Sequence, residues 1–227
     1  SMLEWATDYF EQRSVPDPRL SIEWILAEAL GIKRLDLYLQ FERPLSSKEL
    51  NRIRPLVKRR AAHEPLQHIT GSTDFLKAKI KVNRNVLIPR IETEQLVDLL
   101  LDDFSEKNEK ALNLLDIGTG SGCIPISIKK ERPHWHCAGL DISEKALETA
   151  RENAELNDVE VSFYKADILR LSEWQQREQR NWDIIISNPP YITPGEKPSL
   201  DKQVLNHEPP LALFHEEPRQ LYKKVVE

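Results

Sequence analysis

The sequence predicts an α/β protein, a parallel sheet covered by helices, on three observations. From residue 93 onward strand-like and helix-like segments alternate, the pattern of a parallel sheet with crossover helices. The apolar run 112–115 enters the turn Asp116-Ile117-Gly118-Thr119-Gly120-Ser121-Gly122, which holds three of the chain's seven glycines and opens onto a helix-like stretch. Far downstream, Asp183-Ile184-Ile185-Ile186-Ser187 reads as a buried parallel strand that delivers Asn188-Pro189-Pro190-Tyr191 at its carboxyl end. Ligands bind at that edge of open α/β sheets, so the glycine turn and the Asn-Pro-Pro-Tyr segment are expected to face one crevice.

Taken in order, residues 3–13 are amphipathic and predict a first helix. Asp17-Pro18 starts a second, with proline at its first position, and Gly31 ends it. A short turn spans 34–39. Ser46 with Glu49 three residues on makes a capping box for a third long helix, which Pro55 is expected to kink or delay. These elements form a small helical domain over residues 1–64. Residues 66–70 and 75–82, split by Gly71-Ser72-Thr73-Asp74, alternate as a hairpin, so 65–88 is expected to link the domains. Residues 89–227 form the α/β domain: helix 93–104, strand 112–116, helix 123–130, strand 136–140, helix 143–156, and strands 159–164 and 183–187.

Composition narrows the function classes. With 227 residues, 40% hydrophobic and 30% charged, the chain has room for one large or two unequal domains. It has no apolar run of a membrane span and no secretion signal, so a membrane role is not expected. Cys123 and Cys137 lack Cys-x-x-Cys spacing, which implies neither a disulfide scaffold nor a zinc site and fits a reducing cytoplasm. His134 and His136 lie near Cys137, but strand alternation turns His136 and Cys137 to opposite faces, so no metal is expected. A net charge of −5 argues against wrapping a nucleic acid backbone. The run Lys48, Arg52, Arg54, Lys58, Arg59 and Arg60 qualifies that locally, reading as a solvated helix face or as a dock for an acidic or RNA-like partner.

The two segments carry complementary chemistry. Glycines in a strand-to-helix turn let backbone N–H groups approach a ligand with no Cβ in the way. Pro189 and Pro190 remove two donors and present carbonyl acceptors on a stiff loop. The Asn188 side-chain oxygen and the Pro189 carbonyl can then accept both hydrogens of an NH2 group, with Tyr191 offering an aromatic face to a planar group or developing positive charge. Asp141 ends the next strand, where a carboxylate suits ribose hydroxyls, although the following Ser143 and Glu144 also mark a helix start.

Ile88-Pro89-Arg90-Ile91-Glu92-Thr93-Glu94, Asp141-Ile142-Ser143-Glu144-Lys145-Ala146-Leu147, Ser187-Asn188-Pro189-Pro190-Tyr191-Ile192 and Glu208-Pro209-Pro210-Leu211-Ala212-Leu213 stand in the order and spacing of one family. Across nearly its whole length the chain resembles the HemK/PrmC family of S-adenosylmethionine-dependent methyltransferases. The resemblance implies a Rossmann-like, doubly wound sheet and methylation of the glutamine N5 in the Gly-Gly-Gln segment of class I release factors, with S-adenosylhomocysteine as product. It implies cofactor contacts at Asp116, Gly118, Thr119, Gly120, Ser121, Gly122, Asp141, Ile142, Asp167, Ile168 and Asn188. Asn188, Pro189, Pro190 and Tyr191 would then be catalytic and, with Arg90, Glu92 and Thr93, would bind substrate. Thr93 and Asp167 also read as plain helix or loop caps. Ile91 stands where the family commonly has proline, and Ile168 lacks the aromatic ring that would stack on adenine. The family continues past this region through a helix and a final pair of strands, whereas the sequence ends at Glu227 within a helix-like stretch, so those strands are expected to be missing from it. A base-modifying DNA or RNA amino-methyltransferase and an inactive cofactor-binding module are the rival readings.

Overall fold

The computed structural model describes residues 1–39, 43–104, 110–170, 174 and 180–226, and the chain divides into two compact units. The first comprises Ser1–Gly71 with Asp201–His207, the second Ser72–Leu200 with Glu208–Glu227. Among the described residues no helix is long and apolar enough to cross a membrane.

The first unit holds α1 (Met2–Glu11), α2 (Pro18–Leu30), α3 (Asp36–Leu39), α4 (Ser47–Ala61) and α5 (Leu66–Thr70). Phe10, Ile22, Ile25, Ile53 and Val57 make its core. Ser46 and Glu49 form the reciprocal capping box at the start of α4. Pro55 does not delay this helix, which starts at Ser47 and runs unbroken through it: Asn51, whose carbonyl loses its donor there, lies on the exposed face and is open to water. Lys48, Arg52, Arg54 and Lys58 line that face, while Arg59 pairs with Glu64. Arg60 turns inward and donates to Ser21, the Pro16 and Glu64 carbonyls, and Gln203 of the segment Lys202–His207.

Residues 66–70 are helical, not a strand. Leu66 and Ile69 lie three apart, Pro65 precedes the first turn and Gly71, at φ +76°, ends the last. The hairpin of the second unit is instead β1 (Ser72–Phe75) with β2 (Ala78–Lys81), antiparallel and joined by Leu76-Lys77. Leu76 takes φ +50°, and its N–H donates to Glu94 at 3.1 Å. The outer edge of β2 is satisfied by side chains of a later helix: Asn153 pairs with both polar groups of the Lys81 backbone and Asn157 with both of Lys79.

The α/β body follows as α6 (Ile91–Asp103), β3 (Asn113–Ile117), α7 (Cys123–Glu131), β4 (His136–Asp141), α8 (Glu144–Leu156), β5 (Ser162–Lys165) and β6 (Ile184–Ser187). The helix Lys202–His207 is α9, and α10 (Pro210–Leu213) and α11 (Pro218–Val226) come last. The four strands are parallel in the order β5-β4-β3-β6. Register sets Ile117 beside both Leu140 and Ser187, so the carboxyl ends of β3, β4 and β6 lie level. One sheet face packs Leu114, Ile126, Ile128 and Trp135 with the hairpin residues Phe75 and Ile80. The other packs Leu115, Ile117, Ala138 and Leu140 with Tyr164, Trp174 and Trp182.

Candidate active site

A cavity of about 430 Å³ opens over the carboxyl ends of these strands. Pockets of ~300 to 1,000 Å³ hold drug-sized ligands. The turn after β3 contributes Gly118, Thr119, Gly120 and Ser121, the end of β4 Asp141 and Ile142, and the turn after β5 Asp167 and Ile168. Asn188, Pro189 and Pro190 enter from the end of β6, and Thr93 from α6.

Glycine does two different jobs in the turn. Gly118 and Gly120 have positive φ, and a Cβ at either would meet open space, so backbone alone lines the cavity there. At Gly122 a Cβ would lie 3.1 Å from Ala150, Ile126 and Phe163, so this glycine serves helix packing and does not line the cavity. The amides of Gly118 and Thr119 both donate to the Leu140 carbonyl, Gly120 to Asp141 Oδ2, and Gly122 to the Thr119 carbonyl. The donors left at the turn are therefore Ser121, Cys123 and Ile124 at the N-terminus of α7. Buried Asn153 accounts for the Ser121 carbonyl.

Asp141 also accepts from the Ser143 amide at 2.9 Å, while Ser143 itself caps α8. Burial raises the Asp141 pKa against these amide bonds. Asp167 accepts from the Leu169 amide at 2.9 Å and opens the short 3-10 turn Ile168–Arg170, so its capping and cavity positions coexist. An open backbone cradle, a carboxylate at the end of β4 and an apolar flank at Ile142 and Ile168 fit the nucleoside and amino-acid parts of S-adenosylmethionine.

Asp116 lies beneath the turn, 0% exposed, and does not line the cavity. Burial pushes its pKa up to about 7 from an ordinary 3.8; the Asp141 charge adds to this, and the nearby Thr119 hydroxyl tempers it without a well-formed hydrogen bond. Between pH 4 and 7 the folded chain thus holds a proton that the unfolded chain has lost. This contribution to stability is full below about pH 4 and is lost as pH rises through 7. Asp116→Asn is expected to raise the urea midpoint relative to the parent at pH 8, with the difference closing toward pH 4.

Asn188 Nδ2 donates to Thr93 Oγ1 at 3.0 Å, and Thr93 is buried. With its NH2 tied back, Asn188 keeps Oδ1 as its acceptor beside the Pro189 carbonyl. Arg90 stands at the N-cap position of α6, and its side chain makes no capping bond but pairs with Glu208 at 2.6 Å. Neither Arg90 nor exposed Glu92 lines the cavity, and Tyr191 stands 60% exposed outside the lining. Sequence reasoning missed the contacts made by Asn153, Glu208 and the Thr93 hydroxyl. Thr93 is already a candidate through the stretch 88–94, and Glu208 carries a signal as the one charged residue of Glu208-Pro209-Pro210-Leu211-Ala212-Leu213, whereas Asn153 carries none.

Comparison with known proteins gives the family and the fold. Residues 1–71 match the family described as PrmC N-terminal domain, and residues 92–208 the Methyltransferase small domain. The release factor glutamine methyltransferase of Leptospira interrogans is 36% identical over 238 residues, covering 100% of this chain and 82% of that protein. That of Flavobacterium psychrophilum is 40% identical, covering 91% and 73%. Among solved structures, the hMettl16 catalytic domain, determined in complex with the MAT2A 3'UTR hairpin 6, aligns with a TM-score of 0.51 at 17% identity over 73% of this chain and 61% of that one. At that identity the likeness concerns the fold.

Proposed function

This chain belongs to the release factor glutamine methyltransferase family, and from that membership we infer that it methylates the side-chain amide nitrogen of a glutamine in a peptide-chain release factor. The acceptor is read as the glutamine of the Gly-Gly-Gln segment of class I factors. S-adenosylmethionine supplies the electrophilic methyl group on its sulfonium centre. The observation that carries the reading is the Thr93–Asn188 hydrogen bond, which leaves an acceptor oxygen at the cavity beside the Pro189 carbonyl.

An amide nitrogen is a weak nucleophile because its lone pair is delocalised into the carbonyl. Two acceptors that take both NH2 hydrogens orient that lone pair and stabilise positive charge as it develops. Positioning of this kind can lower a barrier by ~7 to 11 kcal/mol, so no strong base is required. Pro189 and Pro190 keep the acceptors from reorganising, and Tyr191, next in the chain and 60% exposed, is read as the residue that meets the incoming segment. The two cysteines are free and buried, which suits a reducing cytoplasm, where release factors act.

Thr93→Val removes the hydroxyl at constant shape. It is expected to lower kcat about tenfold, the worth of one hydrogen bond, while Thr93→Ser retains most of the rate. Steady-state kinetics with circular dichroism of both variants checks this. The function itself is tested by methyl transfer from labelled S-adenosylmethionine to a release factor, the same factor with its Gly-Gly-Gln glutamine changed to alanine, DNA and RNA. Label on the unaltered factor alone supports the reading; label on nucleic acid replaces it with base modification.

A further inference from the structure

Residues 208–215 form a strap along the cavity, lining it through Pro209, Pro210, Leu211, Ala212, Phe214 and His215. The strap is fastened at both ends. At its start Glu208, with a side chain 1% exposed, accepts from Arg90 Nη2 at 2.6 Å and from the Ile88 amide at 3.3 Å. At its end Phe214 and Ile192 form a parallel bridge: Ile192 N–H donates to the Leu213 carbonyl at 3.3 Å, and His215 N–H to the Ile192 carbonyl at 3.0 Å. Ile192 directly follows Tyr191, so the strap joins the loop before α6 to the loop that carries Asn188. A carboxylate is costly to bury, and here its two partners both belong to that first loop. From Pro209 to Leu213 no side chain offers a hydrogen-bonding group.

We propose that this strap is the acceptor-side wall of the cavity and that Glu208 is its positioning residue, setting a spacing that selects an aliphatic amide side chain. The proposal rests on the glutamine reading above and deepens it. The methylenes of a glutamine lose nothing against an apolar wall. A nucleobase would bring ring nitrogens and a carbonyl that no side chain from Pro209 to Leu213 can pair, and an asparagine amide would fall one methylene short of the Asn188 acceptor.

The test is Glu208→Gln, which keeps the shape and an acceptor for the Ile88 amide but removes the charge that holds Arg90. Hydrogen exchange at Ile88, Ile192 and His215 is expected to quicken while β3 and β4 stay protected. Cofactor affinity, by calorimetry, is expected to stay within about twofold, and the preference in kcat/KM for a release factor with glutamine over one with asparagine at that position to fall about tenfold. Arg90→Lys, which keeps a cation for Glu208, is expected to retain most of the preference. Equal losses on both acceptors, or a parallel loss of cofactor affinity, would reduce Glu208 to a structural support and overturn the proposal; so would unchanged exchange. A parent enzyme that labels no release factor defeats the glutamine reading on its own control and the wall's selectivity with it, whereas the exchange result still decides whether Glu208 fastens the strap.

Discussion

Replacing Asn188 with alanine is expected to lower kcat for release-factor methylation about 10² to 10³-fold, the usual effect of removing one preorganised transition-state partner. Cofactor affinity should change little, because the proposed cofactor contacts at the turn after β3 and at Asp141 make no hydrogen bond with Asn188. The expectation follows from geometry. The Asn188 amide is fastened at Nδ2 by Thr93, follows β6 directly and is stiffened by Pro189, so its oxygen does not reorganise when the acceptor arrives. Alanine leaves the Pro189 carbonyl to hold one of two hydrogens. Single-turnover rates at saturating cofactor, set beside calorimetric binding, separate the two effects. A variant that turns over at a near-normal rate would remove the NH2 clamp from the mechanism.

Gly139→Ala is expected to damage fold and cofactor site together, although the residue lies in the middle of β4 and has an ordinary φ. A Cβ there would sit 2.7 to 2.9 Å from the Thr119 side chain, closer than real Cβ contacts come. Thr119 has little room to retreat: it is buried, and its N–H is bonded to the Leu140 carbonyl. Overpacking of this kind costs ~1 to 3 kcal/mol, which in a chain of this size lowers Tm by roughly 2 to 12 °C. Because Thr119 is part of the turn that lines the cavity, cofactor affinity should fall as well. Thermal unfolding with and without cofactor measures both, and a variant that kept its Tm and its affinity would show that the turn yields at no cost. Thr119→Ala in the Gly139→Ala background removes two of the three clashing atoms, the hydroxyl oxygen at 2.7 Å and the methyl at 2.9 Å, and should recover part of each loss.

Much of the architecture was legible because its signals are local. Asp17-Pro18, the Ser46–Glu49 box and Gly31 mark helix ends through bonds within a few residues, and all three occur where expected. The β-branched run before Asn188 and the glycine turn after β3 likewise announce two strand ends by composition alone. Where local signals competed, the reading failed. Gly71-Ser72-Thr73-Asp74 looked like a hairpin turn but contains most of β1, and the true turn, Leu76-Lys77, has no turn-forming residue. That turn is held by Glu94, 18 residues away, which no local pattern encodes.

The site divides along the same line. By itself the sequence determined the fold class, the crevice at the strand ends and part of its lining, but not that Asp116, Gly122, Arg90, Glu92 and Tyr191 stay out of it, since hydrophobic periodicity and turn chemistry act over a few residues. The partners of those residues were decided only by tertiary contact. Thr93 meets Asn188 across 95 residues, Asn153 meets Ser121 across 32, and Arg90 meets Glu208 across 118. These pairings tie Thr93 to Asn188 and Arg90 to a buried carboxylate, while Asp116 lies beneath the turn. The physical reason is that a polar side chain is defined by the partner it finds on burial, and that partner is fixed by how the elements pack.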